Sequence, residues 1–111
     1  MGDEQELLEK IKALIIATQY RIRIHAVRHM IEEGFSERNI IEALTGKSRI
    51  LEIYPDDARC LIFGAFSINE KVRSPLHTVC DYSKEQVVDI VTAYIPQKPS
   101  WITPTRRGKQ P

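Results

Sequence analysis

Between Gly46 and Arg49 the spacing of apolar residues changes from one that fits a helix to one that fits a strand. Upstream, Leu7, Leu8, Ile11, Leu14 and Ile15 recur at helical spacing, with Glu6, Glu9, Lys10 and Lys12 on the other side. This predicts an amphipathic helix over about residues 3–18. Residues 20–24 alternate large and charged side chains and read as a short strand or an extended linker. Residues 25–33 read as a second helix, stopped by Gly34, with Val27, Met30 and Ile31 as its apolar stripe. Ser36 suits the N-cap of a third helix that buries Ile40, Ile41 and Leu44 and ends at Gly46.

Downstream, residues 49–54, 60–66, 76–82 and 87–95 are β-prone. They are separated by a Pro55-Asp56-Asp57 turn, a polar loop and a tight connection over 83–86. Consecutive strands with short connections favour an antiparallel meander. The expected fold is α+β, with two to three N-terminal helices packed on a four-stranded antiparallel sheet. The expected divisions are a helical extension over 1–19, an α+β domain over 20–102 and a flexible basic tail over 103–111, where prolines accumulate.

A chain of 111 residues suits one domain. Its 16 basic and 15 acidic side chains nearly cancel, so binding to nucleic acid must rest on a local patch. Asp3, Glu4, Glu6 and Glu9 make the start acidic, and Lys98, Arg106, Arg107 and Lys109 make the end basic. These are solvated termini or, at the basic end, a segment that touches phosphate. Cys60 and Cys80 form no CxxC pair and read as buried, reduced thiols. No opening segment looks like a signal peptide and no apolar run reaches the ~20 residues that span a bilayer. A cytoplasmic location without membrane contact is therefore expected.

Two places hold residues suited to chemistry. His25, Arg28, His29 and Glu32 share one face of the second helix. That face reads as solvated polar surface, as a catalytic face built on His25, or as a metal site on His25 and His29 with Glu32 or Glu33. Ala26 stands where a zinc-protease helix needs its Glu, and no metal or cofactor is assigned. Imidazole is the side chain suited to proton transfer near neutral pH. In the second half, His77 and Asp81 point to one face of a strand, and Leu76, Thr78 and Cys80 to the other. Tyr94 ends the last strand, either packed with a wet hydroxyl or orienting a nucleotide and donating a proton. Gly46-Lys47-Ser48 lacks the first glycine of a phosphate-binding loop and is set aside.

The segments HAVRHMIEEGFS, YPDD, CLIFG, PLHTVCD and VTAYIP, in that order over about residues 20–101, resemble the family described as domain of unknown function 4258. That family is similar in layout to the RelE and MqsR class of bacterial toxins, small α+β ribonucleases often encoded with an antitoxin. The resemblance implies an RNA-cleaving or RNA-binding domain, with RNA and an antitoxin-like protein as partners. His25, His77 and Tyr94 match the family's recurrent polar positions. The family usually carries Arg four and eight residues after the first His, where this chain has His29 and Glu33. The resulting expectation is a metal-independent endoribonuclease working by 2′-hydroxyl attack. His25 is the base, His77 or Tyr94 is the acid, and Arg21, Arg23, Arg28 and His29 bind substrate. The alternatives are a non-catalytic module for RNA or protein, and a metal-binding protein. The ribonuclease expectation requires His25, His77 and Tyr94 to converge on one cleft.

Overall fold

The computed structural model describes residues 2–98 and 100–108. α1 (Gly2–Ile16), a short strand β1 (Tyr20–Ile22), α2 (Ile24–Glu33) and α3 (Glu37–Thr45) precede β2 (Arg49–Tyr54), β3 (Arg59–Ser67), β4 (Arg73–Asp81) and β5 (Val88–Tyr94). A small hairpin of β6 (Trp101–Thr103) and β7 (Arg106–Arg107) follows. The helix boundaries have local causes. Ser36 Oγ accepts from the Asn39 N–H and the Asn39 side chain accepts from the Ser36 N–H, so a capping box starts α3. Gly34 ends α2 in the left-handed conformation at φ 79°, its N–H donating to the Met30 carbonyl.

The fold is α+β with three helices, but the sheet differs from expectation. It has five strands in the order β1-β5-β4-β3-β2, and it is mixed. β2 to β5 form the expected antiparallel meander. β1 lies parallel to β5, with Tyr20 opposite Val88 and Ile22 opposite Ile90. The segment read as strand or linker is thus a strand. It pairs with the far end of the chain because β4 occupies only one edge of β5 and the other edge is open to it.

One face of the sheet packs on the helices. Leu8, Ile11 and Ile15 of α1 and Ile40 and Leu44 of α3 share a core with Cys60, Ile62, Leu76, Cys80 and Ile90. Cys60 and Cys80 are direct cross-strand neighbours with free thiols. Burial pushes the Cys60 thiol up to about 12 and raises that of Cys80, which keeps both protonated and unreactive. Gly64 of β3 lets α3 approach closely, since a Cβ there would lie 2.1 Å from the Ala43 carbonyl oxygen.

α2 is rotated relative to its sequence reading. Ala26 is fully buried and Met30 packs on the core, whereas Ile31 is 78% exposed. The helix continues beside β5 where β1 stops. The Arg23 N–H donates to the Ile90 carbonyl, and farther along the Ile95 N–H donates to Glu33 Oε1. Covering a strand edge as well as a sheet face turns the Ala26–Met30 side inward and leaves His29 and Glu33 at the margin.

The opposite sheet face carries Leu61, Phe63 and His77, and the C-terminal hairpin covers it. Two bulges shape this face. β2 has an extra residue between Ile50 and Glu52, and β5 has one between Ile90 and Thr92. Each bulge reverses the alternation beyond it. Glu52, Tyr54 and Tyr94 therefore face the hairpin, although simple alternation would send Tyr94 to the same side as the core residue Ile90. Residues 103–107, read from sequence as the start of a flexible basic tail, belong to the hairpin. Lys109 and the two residues after it lie outside the described residues. Among the described residues no helix is long and apolar enough to cross a membrane.

Gly64→Ala is expected to cost about 3 kcal/mol, because the clash is with helix backbone that cannot rotate away. Gly34→Ala meets open space and should cost only the strain of a left-handed residue, about 1–2 kcal/mol. Urea unfolding of the two variants checks the order, and equal losses would contradict the close α3–β3 contact.

Candidate active site

His77 is the centre of the hairpin face and is fully buried. Its Nε2 lies 2.5 Å from the Pro104 carbonyl oxygen, which can only accept, so Nε2 carries the proton. In the neutral ring Nδ1 then accepts from the Tyr94 hydroxyl at 3.2 Å. The Trp101 ring meets His77 edge-to-face with centroids 4.3 Å apart. Burial lowers the pKa of His77 and raises that of Tyr94, keeping both neutral.

Beside this cluster, Arg107 donates two bonds of 2.9 Å to the two carboxylate oxygens of Glu52. Its guanidinium also sits 4.5 Å from the Trp101 ring centre. The Tyr54 hydroxyl donates to Glu52 as well. The bond from Arg107 holds Glu52 below the usual carboxylate range, while burial pushes Tyr54 up to about 12.

A cavity of about 460 Å³ opens between α2, the end of β5 and the hairpin. His29, Glu33, Tyr94, Trp101 and Arg107 line it, together with Ile95, Gln97 and Ser100. His29 Nδ1 lies 2.5 Å from Glu33 Oε2 and donates to it, so Nε2 is the nitrogen left for other chemistry. The His29 ring is 6.2 Å from that of Tyr94. This is a carboxylate-oriented imidazole, a phenol and a guanidinium around one opening.

The residues singled out from sequence fall into two groups. His77, Tyr94 and His29 come together as described. His25 lines a separate cavity of about 350 Å³ with Arg23, Ile24, Arg59, Asp81 and Val91. Arg21 and Arg23 both bind Asp89. Arg28 is exposed and makes no hydrogen bond or ion pair among the described residues. The convergence of His25, His77 and Tyr94 on one cleft is not formed. His77 is enclosed with both ring nitrogens bonded, and His25 opens on the other cavity. Among the described residues no three His, Cys, Asp or Glu side chains are grouped to hold a metal ion.

The sequence reading weighed Glu33 only as a metal ligand, although its spacing of four from His29 on a helix is the signal for the pair seen here. Arg107 had no signal beyond its place in a basic stretch.

The family described as domain of unknown function DUF4258 matches residues 22–95, and the chain belongs to that family. No curated protein and no solved structure matches the chain. The matched span takes in His29, Glu33, Glu52, His77 and Tyr94, while Arg21, Trp101 and Arg107 lie outside it.

The neutral form of His77 is the one that holds the hairpin. Its lowered folded pKa means that this stabilisation is complete above about 6.5, the ordinary value, and is lost progressively as pH falls from there through the lower folded value. Trp101 is the only tryptophan in the chain and sits against this ring. Its emission is expected to be constant above about pH 6.5 and to shift to the red as pH falls through the lower value that burial gives His77. Emission that stays unchanged until acid unfolds the whole chain would show that the ring does not hold the hairpin.

Proposed function

We propose that this chain is a metal-independent endoribonuclease of the toxin type, acting in the cytosol and paired with an antitoxin-like protein. The observation that carries the reading is the His29–Glu33 pair, 2.5 Å apart, in one cavity with Tyr94 and Arg107. Further support comes from the layout, in which helices back the antiparallel β2–β5 part of the sheet. Similarity to the RelE and MqsR class is part of the proposal.

In this reading Nε2 of His29 takes the proton of a ribose 2′-hydroxyl, and Glu33 steadies the imidazolium that forms. The 2′-oxygen bonds to phosphorus and the bond from phosphorus to the 5′-oxygen breaks. Tyr94 turns its O–H from His77 Nδ1 and gives its proton to the leaving oxygen. The products are a 2′,3′-cyclic phosphate and a 5′-hydroxyl end. Arg107 faces the charge that grows on the phosphoryl oxygens. His77 acts through Tyr94 as a positioning residue. The sequence expectation made His25 the base. His29 takes that role here because it shares a cavity with Tyr94 and has its tautomer set by Glu33.

Cleavage of a labelled single-stranded RNA tests this. His29→Ala is expected to lower the rate at least about 100-fold, as for loss of a general base. At saturating RNA, His25→Ala should keep kcat within about threefold of the unaltered protein, because His25 does not line the cavity of His29. Unchanged cleavage by His29→Ala would remove the mechanism. A non-catalytic binding module is the second reading, favoured by the prior pairing of Arg107 with Glu52. It expects intact RNA throughout, with His29→Ala changing binding alone.

A further inference from the structure

A second charged centre lies at the other end of the contact between α2 and β5. Asp89 is buried, with 5% of its side chain exposed. It accepts bonds of 2.8 and 3.1 Å from Arg21 and one of 3.0 Å from Arg23, and Lys84 Nζ lies 3.9 Å away. The three cations themselves are more than half exposed, at 53%, 56% and 56%. Three cations thus share one carboxylate, which orders them without neutralising them. Arg59 and Asp81, 3.6 Å apart, adjoin them and balance each other.

Arg23 belongs to both this cluster and the 350 Å³ cavity beside His25. It is also the N-cap residue of α2, whose first turn has no acidic side chain. The helix dipole is positive there, so a cation at that position is unfavourable within the chain by itself. Fixed positive potential in a concave place concentrates anions.

The two cavities are neighbours. His25 and His29 are one helical turn apart, a rise of about 6 Å. Val91 and Tyr94, which line the respective cavities, are separated by about 10 Å of strand. The cation cluster and the His29–Glu33 pair thus lie at the two ends of one α2–β5 contact, a helical turn apart.

We infer that Arg21, Arg23 and Lys84, with the cavity at His25, dock the phosphate backbone of single-stranded RNA and direct the strand past Val91 toward His29. The inference rests on the ribonuclease reading for its choice of substrate. A single strand fits because the attacked nucleotide must be free of its stack to enter a cavity. An acidic protein segment would engage the same cations but would have no cause to continue toward His29.

The test uses a fluorescent 2′-O-methyl RNA oligonucleotide, which has no free 2′-hydroxyl and cannot be cut by this route, so binding is read apart from cleavage. Arg23→Gln and Lys84→Gln are suitable variants because both leave the two Arg21 bonds to Asp89 in place. Each is expected to weaken binding about tenfold at low salt. Each should also reduce the slope of log affinity against log salt by about 0.7, as for one lost phosphate contact on a single strand. Arg38→Gln, the same charge change on exposed α3, is the control and should leave both unchanged. Binding by Arg23→Gln and Lys84→Gln equal to that of the control would overturn the inference. So would displacement of the RNA by polyglutamate at equal charge, which would assign the cluster to an acidic protein. If the binding result holds while no RNA is ever cut, the ribonuclease reading alone falls. If cleavage depends on His29 while these variants bind normally, the docking site alone falls.

Discussion

One uncharged imidazole joins the parts of this protein that would otherwise be independent. His77 rises from β4, takes a hydrogen from Tyr94 of β5 and gives one to Pro104 at the tip of the hairpin. A protonated ring would have no acceptor for Tyr94 and would be a buried cation without a bonded carboxylate. The Glu52–Arg107 pair fastens the other strand of the hairpin, but through side chains that water reaches. The wall that Trp101 and Arg107 give to the larger cavity exists because the hairpin is seated. The shape of the site is thereby tied to the protonation of a group that does not itself line it.

The polar character of the hairpin face depends on two interruptions in regular strand geometry. Without the extra residue before Glu52, that carboxylate would be directed toward the apolar side with Ile50. Without the one before Thr92, Tyr94 would lie on the side of Ile90, away from His77. The bulges let one strand serve both the core and the site. Val88 and Ile90 are buried on the helix side, and a few residues later the same strand delivers a phenol to the opposite face.

These details mark the boundary of what the sequence displays. The change from helix to strand, the Ser36 cap, and the burial of Leu8, Ile11, Ile15, Ile40 and Leu44 are local matters of spacing, and they were legible. The partner of β1 was not, because pairing with a strand near the other end of the chain leaves no local trace. The side of β5 on which Tyr94 lies was not legible, since nothing in VTAYIP marks the bulge. α2 was misread in rotation because its apolar residues lie on more than one side, and Ala26 carries more of the contact than its size suggests. The weight placed on His25 came from the family resemblance and not from its place on the helix. One turn of helix separates a residue in the second cavity from one in the first, and sequence spacing alone treats the two as equivalent.

The parallel pairing of β1 with β5 also bears on the growing chain at the ribosome. Tyr20–Ile22 is made early, yet its backbone has no ladder to join until Val88–Tyr94 emerges. Asp89 arrives on that same late strand, so Arg21 and Arg23 spend most of translation with no anion to hold them in order. A nascent or truncated product lacking β5 has neither the organised cations nor Tyr94. Its cations stay unordered, however well its helices have formed. Synthesis of β5 is thus the step that brings the two ends of this sheet edge into order.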